Sequence, residues 1–178
     1  MDESTLFQDK DFTTDEGMMA VAIEISEKNT LTKTGGPFGA AVYEREKASG
    51  QTKLLSVGSN RVVPLCNSTL HGEMTAIQFA EKRRKTFSLK STETHDYILC
   101  TSCEPCCMCL GGVLWSGVSR LICAGTKDDA ESIGFNEGPV LPESYEALEE
   151  NGIKVRRGVL QPQAAAVLKK YGEEGLIY

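Results

Sequence analysis

His71-Gly72-Glu73 and, further along, Glu104-Pro105-Cys106-Cys107-Met108-Cys109 are the stretches whose reading decides the fold. One imidazole and two thiols three residues apart form a donor set suited to zinc. Three ligands, His71, Cys106 and Cys109, leave one of zinc's four positions to water, as catalytic sites do. Two thiolates and a neutral imidazole make the Zn²⁺ site formally neutral. That is a milder Lewis acid than a three-His site, yet able to lower the pKa of bound water towards neutrality. Glu73 is too close to His71 in sequence to share the metal easily. It can instead take a proton from that water and deliver it to a leaving group.

Working outward, residues 96–100 read as a buried strand entering the site. Pro105 suits the first turn of a helix, where a missing N–H costs nothing. Cys106 and Cys109 then share one face of that turn, where a helix N-terminus favours thiolate over thiol. His71 opens a second helix over 72–85. The three overlapping Cys-x-x-Cys pairs leave room for a redox dithiol or a four-Cys knuckle. Against the knuckle, Cys66 and Cys123 are isolated. Against both, Glu73 would have no role. Cys66, Cys100, Cys107 and Cys123 read as small buried hydrophobes, Cys103 as packing, and His95 as a solvated turn residue.

Around these motifs the pattern alternates. Thr13 and Glu16 form an expected capping box opening a helix to Lys28, with Met18, Ala22 and Ile25 on one stripe. Gly35-Gly36-Pro37 ends it. Strands follow at 38–45 and 54–59 across an Ala48-Ser49-Gly50 turn, then at 97–101, 121–124 and 154–156. Further helices are expected from Cys106 and over 145–150 and 163–170. The class is α/β, a three-layer α/β/α arrangement with a central mixed sheet and helices on both faces.

The chain has 178 residues, 40% hydrophobic and 25% charged, which suits a single domain over 1–178 with a loose leader at 1–12. Met1-Asp2-Glu3-Ser4 is acidic and no run approaches membrane-spanning length, so no membrane partner is expected. Seven cysteines, odd in number and clustered, fit a reducing compartment and a cytoplasmic location. The net charge of −6 argues against nucleic acid as partner. Lys82-Arg83-Arg84-Lys85, the one basic cluster, suits a helix C-terminus.

From about residue 14 onward the chain resembles the cytidine-deaminase-like superfamily of zinc enzymes, and is most similar to the bacterial-type guanine deaminases. The resemblance rests on the two metal motifs, Gly35-Gly36-Pro37-Phe38-Gly39-Ala40, Ser59-Asn60-Arg61-Val62-Val63, Trp115, and Asp128-Asp129-Ala130-Glu131-Ser132-Ile133-Gly134-Phe135-Asn136-Glu137-Gly138-Pro139. The metal motifs specify only the superfamily; the last segment is more specific. Gly72 stands where guanine deaminases usually carry Ala and fungal-type cytosine deaminases carry Gly. Cys107 takes a place often held by Pro or Val.

The resemblance implies zinc-dependent hydrolytic deamination of a free purine base, guanine to xanthine plus ammonia. It implies that Phe38 stacks on the base and that Asn60 donates to its O6. Asp129 and Glu137 would accept from N1–H and the 2-amino group; without the resemblance both read as surface charge. Gly72 and Trp115 border the same site, with core packing competing for Trp115. It further implies a homodimer whose C-terminal tail, ending in Tyr178, closes an active site. Alternatives are cytosine, guanosine or a triazine as substrate, and tRNA adenosine, which the acidic charge disfavours. A non-enzymatic alternative is an idle zinc-stabilised scaffold, in which Glu73 would be wasted.

Overall fold

Runs rich in Val, Ile, Leu and Tyr between glycine and polar turns build five strands, in a computed structural model that describes residues 7, 9–174 and 177. They are β1 (Gly39–Glu46), β2 (Thr52–Ser59), β3 (His95–Cys103), β4 (Arg120–Gly125) and β5 (Lys154–Arg156), in the order β2-β1-β3-β4-β5. β1 runs antiparallel to β2 and β3, whereas β3, β4 and β5 are parallel. The sheet is therefore mixed, as expected. A hairpin forms its antiparallel half. Helical crossovers, which parallel neighbours require, form the other half.

The described residues form six helices around the sheet: α1 (Asp15–Leu31), α2 (Gly72–Arg84), α3 (Cys107–Ser116), α4 (Lys127–Glu131), α5 (Pro142–Glu150) and α6 (Gln161–Glu173). On one face Ala76, Ile77, Ala80, Leu110, Val113 and Leu148 from α2, α3 and α5 pack on Val42, Leu99 and Leu121. On the other, Met18, Met19 and Ala22 of α1 and Ala164 of α6 pack on Tyr43, Ile98 and Ile122. Successive strand residues point to opposite faces, so neighbours such as Ile98 and Leu99 divide between the two cores.

Two glycines set how closely helices approach the sheet beside the metal motifs. A Cβ on Gly58 would lie 2.2 Å from the Gly72 carbonyl oxygen, and one on Gly39 would lie 2.4 Å from that of Ala22. Both are closer than any side chain tolerates, so α2 and α1 rest directly on the strand backbones. No helix among the described residues is long and apolar enough to cross a membrane.

Several sequence expectations shift. The Thr13–Glu16 capping box does not form: Thr14 caps α1, accepting from Gly17 N at 3.1 Å, while Thr13 donates to Asp11. Of the expected loose leader, residues 7 and 9–12 are described, and its two phenylalanines are packed. Phe7 is buried, and the Phe12 ring lies 5.2 Å from that of Tyr43. His95 begins β3 instead of ending a turn. Helix α4 was not foreseen.

Candidate active site

β3 and α2 deliver the two metal motifs to the carboxyl end of the parallel strands, where open α/β sheets place their ligands. Pro105 lies just outside α3, not in its first turn, and Cys106 is the N-cap. His71 holds the same place on α2. Each is extended at its cap, and neither uses its side chain to cap its helix. The freed side chains turn towards each other. His71 Nδ1 lies 3.6 Å from Cys106 Sγ, and the ligand atoms of His71, Cys106 and Cys109 all fall within 4.8 Å of one another. Tetrahedral bonds of about 2.3 Å to sulfur and about 2.0–2.1 Å to nitrogen imply an S···N separation of about 3.6 Å. The donor set fits zinc in both chemistry and spacing.

Hydrogen bonding from Cys109 and then from His71 outweighs burial and draws Cys106 down to about 4, while Cys109 is pushed up. The contact with Cys106 raises His71. Glu73, 6% exposed, holds Oε2 3.6 Å from Cys109 Sγ, and burial raises its carboxyl above the usual range.

Beside the donor set opens a cavity of about 170 Å³. Phe38 and Phe135 wall it, edge to face at 4.9 Å between ring centres. Asn60 is buried, with Oδ1 accepting from Val62 N at 3.3 Å, which leaves its amide Nδ2 as the group to donate. Glu137 is buried and raised to about 7, chiefly by desolvation and then by the neighbouring Cys106 and Glu73. Glu73, Glu104 and Glu137 all border the cavity, and no Lys or Arg does among the described residues.

Residues 12–125 match the model of the cytidine and deoxycytidylate deaminase zinc-binding region. The chain belongs to this deaminase family. A guanine deaminase of Bacillus subtilis is 32% identical over 132 residues, 74% of this chain and 78% of its own. A solved structure of the guanine deaminase from Nitrosomonas europaea is 40% identical with a TM-score of 0.82, over 90% of this chain and 85% of that one. NE0047 in complex with 2,6-diaminopurine is 37% identical with a TM-score of 0.85, over 98% and 92%. The family binds zinc, and in this deaminase His71, Cys106 and Cys109 are positioned to hold the ion.

The deaminase fold gathers Phe38, Asn60, His71, Glu73, Cys106 and Glu137 around one cavity, and places other expected site residues elsewhere. Asp129 is the third residue of α4. Its Oδ2 accepts from Thr126 N at 2.8 Å, Thr126 Oγ1 at 2.9 Å and Gln161 Nε2 at 3.1 Å, completing a capping box. It is committed to the helix start and is not among the cavity residues. Trp115 is 83% exposed. Nine residues beyond Cys106 at 1.5 Å rise, it sits about 13 Å along α3, half a turn away from that ligand. It is not part of the core and does not line this cavity within the chain. Gly72 packs on the Phe38–Gly39 backbone, where a Cβ would lie 3.3 Å from the Phe38 carbonyl oxygen. It sets the seat of Phe38 without lining the cavity. Tyr178 lies outside the described residues. The sequence reading missed Glu104, which precedes Pro105 and is buried in the cavity wall. The Glu-Pro-Cys run was its only local signal.

Proposed function

We propose that this deaminase hydrolyses guanine to xanthine and ammonia. The observation that carries the reading is the cavity itself: acceptor carboxylates and one amide donor beside the donor set, with no lysine or arginine among the described residues that line it. Guanine presents donors at N1 and the 2-amino group and an acceptor at O6. Glu137 suits the donor edge and Asn60 the acceptor, with Phe38 and Phe135 against the ring faces. A cavity walled by carboxylates disfavours phosphate-bearing nucleotides and nucleic acid. The guanine deaminase relatives and the 2,6-diaminopurine complex of NE0047 support the same substrate class.

Zinc held by His71, Cys106 and Cys109 supplies Lewis acidity that makes a water nucleophilic near neutral pH. Glu73 would take one proton from the water and give it to N3 of the ring, then take the second from the hydroxyl now on C2 and give it to the departing amine, so that a C2 carbonyl forms as ammonia leaves. Its burial places its pKa nearer the working pH than that of a free glutamate, as a group that both accepts and donates requires. Asn60 and Glu137 hold the ring in line.

The same reading takes 1–178 as one catalytic unit that acts in the cytoplasm as a homodimer. Phe79 and Trp115, on the packed helices α2 and α3, are large exposed hydrophobics that a second copy would cover. Ile177 Cδ1 lies 3.4 Å from where a Cβ on Gly134 would sit, which supports a tail folding over the Phe135–Glu137 side of the cavity. Ammonia release by the zinc-loaded protein from guanine, guanosine, cytosine and adenine tests the proposal. Guanine should be turned over far faster than the other three. Equal or faster release from cytosine or guanosine overturns it.

A further inference from the structure

We propose that Glu104 is a positioning residue that ties the metal ligand Cys106 to the loop reading the base. The proposal rests on the deaminase reading above and deepens it. Glu104 ends the run from β3, with its N–H donating to the Gly125 carbonyl of β4 at 2.8 Å. The following proline confines it to extended backbone, so the link to Cys106 has little slack. Its side chain is 4% exposed and reaches sideways. One oxygen accepts from Lys127 N, the first residue of α4, at 2.9 Å. The other accepts from Arg157 Nε, just past β5, at 2.5 Å. Arg157 in turn lies over the Tyr145 ring of α5, 4.7 Å from its centre.

One buried carboxylate therefore joins the carboxyl ends of all three parallel strands immediately beneath a metal ligand. The α4 segment it grips leads into Phe135, Asn136 and Glu137, and the Glu137 carbonyl accepts from Cys107 N at 3.1 Å. Cys106 and the loop are thus held from two sides: directly through Cys107, and from below through Glu104 and Lys127. This fixes the distance between the reacting centre and the carboxylate that orients the base. Displacements near 1 Å at such a distance cost about a hundredfold in rate while leaving binding largely intact.

The zinc-loaded full chain carrying Glu104→Gln, Arg157→Gln or both tests this. The Arg157 side chain is half-exposed, so its variant keeps the test open should Glu104→Gln fail to fold. The expectation is full zinc content, a KM for guanine within about threefold of the parent, and kcat lowered about tenfold to a hundredfold in each single variant. The double variant should lose no more than Glu104→Gln alone, because both changes break one tie. Amide hydrogen exchange across 126–137 should rise in each. Zinc lost in step with activity, an unchanged kcat, or additive losses would overturn the proposal. If the parent leaves guanine untouched, the substrate reading fails on that result alone, and the exchange of 126–137 still decides whether the tie exists.

Discussion

Two buried glutamates at opposite ends of the sheet differ in a way that burial alone does not reveal. Glu73 is 6% exposed at the metal end and Glu44 is 1% exposed at the hairpin end. Desolvation pushes both carboxyls up. Around Glu44, Lys53 at 2.8 Å and Arg84 at 3.2 Å outweigh it and hold the group below its ordinary value. Around Glu73 no lysine or arginine among the described residues lines the cavity, Cys106 adds to the upward push of burial, and the group stays raised. The first carboxylate is neutralised by the fold for stability. The second is left unneutralised and available to exchange a proton.

The sharpest way to break this contrast is to make the same substitution at both ends. Glu73→Gln should keep the fold and zinc, and lower guanine turnover by about 10²–10⁴-fold, measured by ammonia release alongside metal analysis. Glu44→Gln should leave kcat per folded molecule unchanged and cost about 2 kcal/mol in chemical denaturation, since it strips charge-assisted bonds from a buried group. Acid titration separates them again. The folded pKa of Glu44 is depressed, so its contribution is present above the ordinary glutamate pKa of about 4.3 and is lost as pH falls through the folded value. Acid unfolding followed by fluorescence should begin at higher pH in the parent than would a chain whose Glu44 stayed paired at all pH, and Glu44→Gln should flatten that limb.

A second pair sharpens the comparison within the sequence segment that suggested guanine. Glu137→Gln should lower kcat/KM for guanine while zinc content holds, whereas Asp129→Asn should leave KM unchanged and cost about 1 kcal/mol through the weakened α4 cap. The smallest effect is expected at Tyr145, whose hydroxyl is buried without a hydrogen-bond partner among the described residues. Tyr145→Phe should be neutral or stabilising by a few tenths of a kcal/mol in thermal melts, because nothing is lost with that hydroxyl.

The features legible in the sequence are the local ones. His71 with Glu73, and Cys106 with Cys109, announce themselves because each pair is set by one helix start, and the central strands follow from apolar runs bounded by turn residues, as a sheet covered on both faces requires. For Asp129, the spacing from Thr126 is itself a capping signal, which competes with a role in a site. For Trp115, an apolar residue on a helix does not say on which side its partner lies. Glu104 stayed hidden because its partners, Lys127 and Arg157, come from α4 and the end of β5, elements brought together only by the parallel half of the sheet.

His71 and Cys106 occupy the caps of α2 and α3 but lend neither helix a side-chain acceptor. A zinc ion held by both residues would pin those two starts together and couple the chain's lifetime to its metal supply. Copies made under zinc starvation would fray at 71–75 and 106–110 and offer those turns to proteases. The amount of this protein in a cell would then follow zinc availability before any change in its synthesis.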